Sequence, residues 1–245
     1  MSFHIAVVIP TFDRHVKLNR CIWSILNQTH QDFNIYVMAD NDDKGTDDFM
    51  HDAFKYHMDG KIKCIRNGER GYVIGCWNWF MKNNFRLIRD TMAWIVDDVE
   101  LHPDCFEKAV KCFKENFSGR DGVVGINQYC PGYDKYAGKP YGQVLLGKEF
   151  IARYPDNQVC CPDYTHFYQD EEMYNYATSL KKFAFCEEAL LKHWHPAHHE
   201  IEKDFVHKHI RGDIVEHDRD TKILRRGNHF NWGNDFNLVN KKKEV

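Results

Sequence analysis

One stretch, residues 92–103 with the sequence MAWIVDDVELHP, constrains the fold of this 245-residue chain more than any other. Its first half, 92–96, is an apolar run of β-favouring residues, which is typical of a strand buried on both faces. The run ends abruptly in two adjacent carboxylates, Asp97 and Asp98. Because ligands bind outside the carboxyl ends of the strands in open α/β sheets, we expect this pair to lie at a ligand site.

The acidic pair itself has two interpretations. Adjacent carboxylates at the end of a buried strand repel each other, so they persist most easily where a cation or hydrogen-bond donors compensate their charge. Mg²⁺ and Mn²⁺ prefer oxygen ligands of this kind. Alternatively, the stretch is a polar strand-to-helix turn in which Asp98 caps the next helix. The stretch alone does not favour either interpretation.

The first part of the chain alternates between strand and helix patterns. Strands are predicted where short β-favouring runs occur, and Pro10 is expected to end the first of them. Helices are predicted where apolar residues recur three to four positions apart. This alternation favours parallel strands joined by right-handed crossovers. The predicted order is strand 5–9, helix 16–28, strand 33–38, helix 46–58, strand 62–65, glycine-bearing loop 68–75 and helix 76–88.

The pattern is less regular after the acidic pair. Residues 131–162 are rich in Gly, Pro, Tyr and Asp, so only loops and short strands are predicted there. The remaining predictions are helix 104–117, strand 122–129, helix 171–180, strand 183–186 and a His-rich segment at 193–199.

Composition narrows the functional classes. The formal net charge of -3 argues against a generic nucleic-acid-coating protein. The nine cysteines form no C-x-x-C pair, so reduced thiols are expected rather than a disulfide framework. We find no signal-peptide pattern and no membrane segment, since no apolar run approaches spanning length. The expectation is a soluble cytoplasmic protein.

Three blocks of sequence, in order, resemble family 2 glycosyltransferases with the GT-A fold. The first block, IPTFDRHVKLNRCIWSILNQTHQDFNIYVMADN, is similar to the family's opening loop, helix and second strand. The second, VDDVELHPD, resembles its metal-binding DxD segment. The third, YQDEEMYNYATSLKKFAFCEEALLKHWHP, resembles its later helix and His-containing segment. Together they span about residues 4–196.

The resemblance implies a fold and a domain organisation. The fold class is α/β, a Rossmann-like GT-A domain with a mixed, mostly parallel sheet flanked by helices and a C-terminal extension. The GT-A domain is expected over residues 1–200. The extension, residues 201–245, is expected to pack on or near the active site.

The resemblance also assigns roles to individual residues. The donor is expected to be a nucleotide-diphosphate sugar, with UDP-sugar favoured because a carboxylate at position 40 suits the imide N–H of uracil. The cofactor is expected to be Mn²⁺ or Mg²⁺. The implied roles are nucleotide and donor binding for Thr11, Phe12, Arg14, Asp40 and Asp97, metal binding for Asp98 and His193, and general-base catalysis for Asp170 with Glu171 as the alternative. Arg70, beside the glycine-bearing loop, is predicted to contact the diphosphate or the nucleotide, with an ordinary surface arginine as the alternative.

The sequence departs from the family pattern at two positions. Val96 stands where a strict DxD motif has its first acid, and Gln169 replaces the acid that usually precedes the base. Because residues 170–172 are all acidic, an alignment shifted by one residue would move the base from Asp170 to Glu171.

The expected activity is an inverting, metal-assisted sugar transfer to an acceptor hydroxyl. The acceptor stays open among a saccharide, another glycoconjugate and a modified nucleic acid. A nucleotidyltransferase is an alternative, but it normally carries a glycine- and lysine-rich loop after the first strand, and residues 11–14 form no such loop. A nucleotide-sugar-binding module without catalysis is the other alternative.

Overall fold

The computed structural model describes residues 3–58, 60–68, 71–128, 140–195, 212–227 and 232. Strands and helices alternate along the first half of the chain. The strands are β1 Ile5–Thr11, β2 Phe33–Ala39, β3 Ile62–Arg66, β4 Thr91–Trp94, β5 Val99–Leu101, β6 Val123–Gln128, β7 Val144–Gly147 and β8 Phe183–His193. The α-helices are α1 His15–Leu26, α2 Thr46–Phe54, α3 Tyr72–Asn84, α4 Cys105–Asn116, α5 Lys148–Ile151, α6 Gln169–Ser179 and α7 Gly212–Gly227.

The eight strands form one sheet in the order β3-β2-β1-β4-β7-β6-β8-β5. The first four in that order are parallel. Strand β7 is antiparallel to both β4 and β6, whereas β6 and β8 are parallel. Strand β5 pairs antiparallel with β8 at the edge. The predicted mixed, mostly parallel sheet flanked by helices is confirmed.

Hydrophobic side chains cover both faces of the sheet because strand residues alternate sides. In β1, Ile5, Val7 and Ile9 belong to the core on the face covered by α1, α2 and α4. Ala6 and Val8 belong to the opposite core, with residues of α3, α5 and α6. All five side chains are fully buried. The central strands are therefore fixed from both sides, which makes their ends rigid places for functional residues.

The prediction that Pro10 ends the first strand is wrong. Strand β1 continues to Thr11, and Pro10 is in register with Met38 of β2. The ladder between β1 and β4 ends at Val8, and even-numbered residues of β1 face β4. The backbone nitrogen of Pro10 faces the β4 side, beyond the end of that ladder. Its lack of an N–H therefore costs no hydrogen bond within the sheet.

Among the other boundaries that differ from the predictions, two lie close to the site. Helix α3 begins at Tyr72 rather than at residue 76, and the Gly75 N–H already donates to the Gly71 carbonyl at 2.7 Å. The predicted glycine loop is thus partly the first helical turn. Strand β8 extends to His193 because an irregularity opposite residues 126–127 of β6 lets it continue and pair with β5.

The fold brings the carboxyl ends of β2, β1 and β4 together at one edge of the sheet. Thr11 ends β1, Asp40 follows β2, and Asp97 and Asp98 follow β4. Within the described residues, no helix has the length and apolar character needed to span a membrane.

Candidate active site

Asp97 and Asp98 lie in the turn between β4 and β5, outside the carboxyl edge of the sheet, and each is only 2% exposed. The turn is held by backbone donors: the Val96 N–H donates to the Gln143 side chain at 3.0 Å, and the Trp194 N–H donates to the Asp98 carbonyl at 2.7 Å. Burying adjacent carboxylates is unfavourable unless charges or donors compensate them. The two buried carboxylates therefore need positive charges or hydrogen-bond donors around them.

Three side chains, from β1, the loop after it and α1, supply those partners. Arg14 donates from one guanidinium nitrogen to Asp97 Oδ1 and from the other to Asp98 Oδ2, each at 2.6 Å. The Thr11 hydroxyl donates to Asp97 Oδ2 at 2.8 Å. The ammonium of Lys17 lies 3.9 Å from Asp98 Oδ2. Of the predicted donor-binding residues, Thr11, Arg14 and Asp97 thus meet in one cluster.

The alternative interpretation of the acidic pair, in which Asp98 caps the next helix, is wrong. Strand β5 follows the pair, and Asp104 occupies the N-cap position of α4. The pair is consequently not explained by helix capping.

The two carboxyl groups differ in their electrostatic surroundings. Burial raises the pKa of Asp97 to about 6, although the charge of Arg14 opposes the shift. Burial also acts to raise the pKa of Asp98, but His193 and Arg14 outweigh it and hold that pKa well below its usual range. Asp98 is therefore the member of the pair that stays ionised more readily.

His193, at the end of β8, joins the site from the opposite side. Its Nε2 lies 3.1 Å from Asp98 Oδ1, and its Nδ1 lies 2.8 Å from Gln128 Oε1. The Gln128 contact orients the ring, because the amide oxygen accepts a hydrogen bond from Nδ1–H, and it leaves Nε2 directed at Asp98.

The donor set around Asp98 suits a divalent cation that takes further ligands from a substrate. Asp98 and His193 present one oxygen and one nitrogen to the same space. No group of three or more His, Cys, Asp or Glu side chains able to hold a metal occurs in the described part of the chain. Mg²⁺ commonly combines one or two carboxylates with substrate phosphates and water, and two protein ligands fit that mode.

Asp40 lies beyond β2, next to the start of α3, and is 3% exposed. Its Oδ1 accepts the Gly71 N–H at 2.8 Å and lies 3.5 Å from the Cys76 thiol. Burial raises the pKa of this carboxyl group, and hydrogen bonds from Gly71 and its neighbours partly oppose that shift. The hydrogen-bond donors around this carboxylate are the Gly71 and Tyr72 N–H groups, the Cys76 thiol and the Asn67 side chain.

Two further residues, Phe12 and Arg70, are predicted to bind the donor. Phe12 follows β1 directly, between Thr11 and the loop that leads to Arg14. Arg70 lies outside the described residues. Their predicted contacts with the nucleotide stay predictions.

The predicted catalytic residues Asp170 and Glu171 lie in the first turn of α6. The Asp170 carboxylate accepts the Glu171 N–H at 2.9 Å. Glu171 forms ion pairs with two cations of α7, Lys222 at 2.5 Å and Arg226. The carboxylate of Glu171 is thus engaged by positive charge from another helix.

Helix α7 is attached to α6 through buried polar contacts. Arg225 binds Glu172 at 2.6 Å, and both side chains are less than a tenth exposed. Arg225 also lies 3.2 Å from Asp163. The fully buried Asp218 accepts the backbone N–H groups of residues 165–167 at 2.7–2.9 Å. Helix α7 thus holds the segment that precedes the acidic helix.

The sequence analysis missed several residues that contact the Asp97–Asp98 pair or the acidic residues 170–172. Lys17 lies one helical turn after Arg14, and this spacing is a signal for a shared face. Gln128 and Lys222 left no comparable signal, because their partners are 65 and 51 positions away in the chain.

Comparison with known families gives one match over most of the chain. The model of glycosyl transferase family 2 matches residues 6–176. This range contains every predicted site residue except His193. Comparison with curated proteins gives no match.

Solved structures share the fold. The S. aureus TarS 1-349 complex with UDP-GlcNAc has a TM-score of 0.64 at 11% identity, over 88% of this chain and 64% of that one. The mannosyltransferase PcManGT from Pyrobaculum calidifontis, in complex with GDP-Man and Mn²⁺, gives 0.60 at 12%, over 77% and 56%. GalNAc-T7 with UDP, GalNAc and Mn²⁺ gives 0.56 at 12%, over 78% and 43%.

These likenesses establish the fold and its limits. At 11–12% identity they show the GT-A fold alone, and the GT-A prediction is confirmed. The chain spans less than two thirds of the length of each of these structures.

Proposed function

The chain belongs to glycosyl transferase family 2, and from this premise we propose that it transfers a sugar from a UDP-sugar donor to an acceptor hydroxyl with inversion and with the help of a divalent cation. The observation that carries the proposal is the acidic pair at the carboxyl edge of the sheet, gathered with Arg14 and His193. When a nucleotide-diphosphate sugar reacts, negative charge develops on the leaving diphosphate, and cationic groups beside it stabilise that charge.

The leaving diphosphate would lie against Arg14, Lys17 and the Asp98–His193 pair. Arg14 and Lys17 offer positive charge beside the carboxylates, and arginine can bind phosphate oxygens through two parallel hydrogen bonds. Asp98 and His193 would hold the cation. When bound, a divalent cation neutralises the charge that develops on the diphosphate as the bond to the sugar breaks.

Asp170 is the proposed general base. Lys222 and Arg226 bind the Glu171 carboxylate, and positive charge at hydrogen-bond distance makes a carboxylate a poorer proton acceptor. Glu172 is committed to the buried Arg225. In the proposed mechanism Asp170, the position implied by the resemblance, takes the proton of the acceptor hydroxyl while the hydroxyl oxygen attacks the anomeric carbon and the diphosphate leaves from the opposite face.

Asp40 is the proposed contact for the nucleobase. It lies two strands from the acidic pair, at the same edge of the sheet, so a nucleotide can extend along that edge from base to diphosphate. A buried carboxylate accepts the imide N–H of uracil well, which favours UDP over nucleotides that lack this donor at the same place. The acceptor is proposed to be a saccharide or another glycoconjugate, and a modified nucleic acid is a further class to test.

The first experiment is a binding screen by calorimetry with UDP, GDP, CDP and ADP, each with and without Mn²⁺. We expect UDP to bind best and Mn²⁺ to strengthen its binding. A ligand at a hundredfold excess over its dissociation constant raises stability by about 2.7 kcal/mol, so a parallel thermal melt reports the same event. If no nucleoside diphosphate binds with metal present, the proposed function is wrong.

A second measurement separates the enzyme from a binding module. Slow hydrolysis of the UDP-sugar that binds, followed by release of UDP, is expected from a transferase whose acceptor is replaced by water. Asp170→Asn is the matched control, since it keeps the size of the side chain but cannot accept a proton. Hydrolysis at equal rates in both proteins would contradict the assignment of the base.

A further inference from the structure

Each of the four carboxylate oxygens of the acidic pair already has a partner from the protein. Asp97 Oδ1 and Asp98 Oδ2 each accept from the Arg14 guanidinium at 2.6 Å. Asp97 Oδ2 accepts from Thr11 at 2.8 Å, and Asp98 Oδ1 faces His193 at 3.1 Å. A cation that binds Asp98 must therefore displace an existing interaction.

The charges lead to the same conclusion. The pair contributes two negative charges, and Arg14 lies between them with Lys17 3.9 Å from Asp98. The side chain of Arg14 is 11% exposed and those of the two aspartates are 3% exposed. Because the compensation takes place away from solvent, salt in the medium screens it weakly. The pair is thus stable without a metal ion.

Arg14 is the partner best suited to move. It occupies the N-cap position of α1, with non-helical backbone angles, so its backbone belongs to the loop while its side chain reaches the pair. Thr11 is fixed in β1, and His193 is fixed by Gln128. A guanidinium also binds phosphate in the same paired geometry that it uses with carboxylates.

We propose that Arg14 is the resident counter-ion of Asp97 and Asp98, and that it gives a divalent cation access to Asp98 only when a nucleotide diphosphate arrives to accept its guanidinium. This inference rests on the proposed function, because it takes a diphosphate as the ligand. Metal and nucleotide then bind as a coupled pair. By linkage, each raises the affinity for the other by the same factor.

The test is a titration of Mn²⁺ followed by electron paramagnetic resonance, in which the signal of free Mn²⁺ falls as the ion binds. The proteins are the wild type, Arg14→Gln, Arg14→Lys and the control Arg89→Gln. Arg89 pairs with Asp32 on the surface. It precedes β4, so it lies at the amino ends of the parallel strands, away from the site at their carboxyl ends. Each is titrated with no nucleotide and again with saturating UDP.

In the wild type and in Arg89→Gln, we expect UDP to tighten Mn²⁺ binding by roughly 5- to 150-fold, the usual range of coupling between sites. Arg14→Gln is expected to bind Mn²⁺ without UDP more tightly than the wild type by a similar factor, and to show little further gain with UDP. Arg14→Lys keeps the charge but not the paired geometry, so its Mn²⁺ affinity without UDP should fall between the two.

A thermal melt provides a readout that does not need the nucleotide. Arg14→Gln leaves two buried carboxylates without their cation, so its melting temperature is expected to fall, and Mn²⁺ alone should restore part of the loss. Mn²⁺ alone should leave the wild type unchanged. If Arg14→Gln does not fold, the same comparison is made with Arg14→Lys.

Two outcomes overturn the inference. One is an equal Mn²⁺ affinity of the wild type and the Arg14 variants without UDP. The other is a wild type that binds Mn²⁺ equally well with and without UDP although UDP itself binds. If no nucleoside diphosphate binds at all, the proposed function fails, but the titrations with Mn²⁺ alone still decide whether Arg14 blocks the carboxylates.

Discussion

The chain has two acidic clusters that are compensated in different ways. The pair Asp97–Asp98 lies outside the sheet edge and takes its cation from Arg14, in the loop after the neighbouring strand. The triplet in residues 170–172 opens a helix and takes its cations from α7, about fifty residues further along the chain. The pair shares one arginine between two carboxylates, whereas in the triplet separate cations bind Glu171 and Glu172.

This difference separates the roles of the carboxylates. A shared and displaceable counter-ion suits a site that exchanges charge with a ligand. Dedicated ion pairs suit residues that hold two helices together. On this basis we propose that the pair serves the donor, that Glu171 and Glu172 serve the docking of α7, and that Asp170 serves the acceptor.

The largest effect is expected from Asp98→Asn. The amide keeps the size of the side chain but loses the charge that faces Arg14 and His193. Sugar transfer should fall below detection, and Mn²⁺ should no longer strengthen UDP binding. Transfer is measured as UDP release with the best donor, and far-UV circular dichroism checks the fold. A folded variant with normal transfer would show that the pair is structural.

Asp170→Asn should be slower than the wild type by roughly 10²–10⁴-fold, because the acceptor hydroxyl loses its proton acceptor. UDP affinity should change little, since the residue serves the acceptor. Glu171→Gln is the matched control and should have a much milder defect. If the two phenotypes are exchanged, the base is Glu171 and the alignment is shifted by one residue.

The sequence anticipated the donor side of the site better than the triplet. The apolar run ending in Asp97 and Asp98, and the alternation of strands and helices, are local patterns, and they placed the pair at the sheet edge. Strand order supplied the rest, because parallel neighbours end at the same edge.

No local sequence pattern predicts that α7 packs against α6. The contact between Arg225 and Glu172 joins residues 53 positions apart, and in sequence both look like ordinary charges on helix surfaces. The extent of β8 was missed for a related reason, because the irregularity that lets it continue toward His193 depends on its pairing with β6. Such features depend on tertiary packing and not on local periodicity.

Arg225→Met tests whether the triplet is a docking site. Removing one member of a buried ion pair leaves the other charge uncompensated, so the free energy of unfolding should fall by about 3–5 kcal/mol. Arg219→Met is the matched control on the same helix, because Arg219 is largely exposed and pairs with Asp220, which is also exposed. That variant should lie within about 0.5 kcal/mol of the wild type. Urea denaturation measures both, and equal stabilities would show that α7 docks through other contacts.

The smallest effect is expected from Lys222→Met, which tests whether Glu171 docks α7 or acts as the general base. The Lys222 and Glu171 side chains are each 21% exposed, so their ion pair is partly screened and should contribute less than about 1 kcal/mol to stability. Arg226 still binds Glu171 in this variant. If Glu171 only docks α7, turnover should change by less than about fivefold, the kinetic equivalent of 1 kcal/mol.

The opposite result has a clear meaning. If Glu171 accepted the acceptor's proton, removing an adjacent ammonium would change its proton affinity directly, and Lys222→Met would alter turnover and its pH profile strongly. An unchanged pH profile therefore supports Asp170 as the base. A profile displaced in Lys222→Met but not in Arg219→Met would instead assign proton transfer to Glu171 and make α7 part of the catalytic machinery.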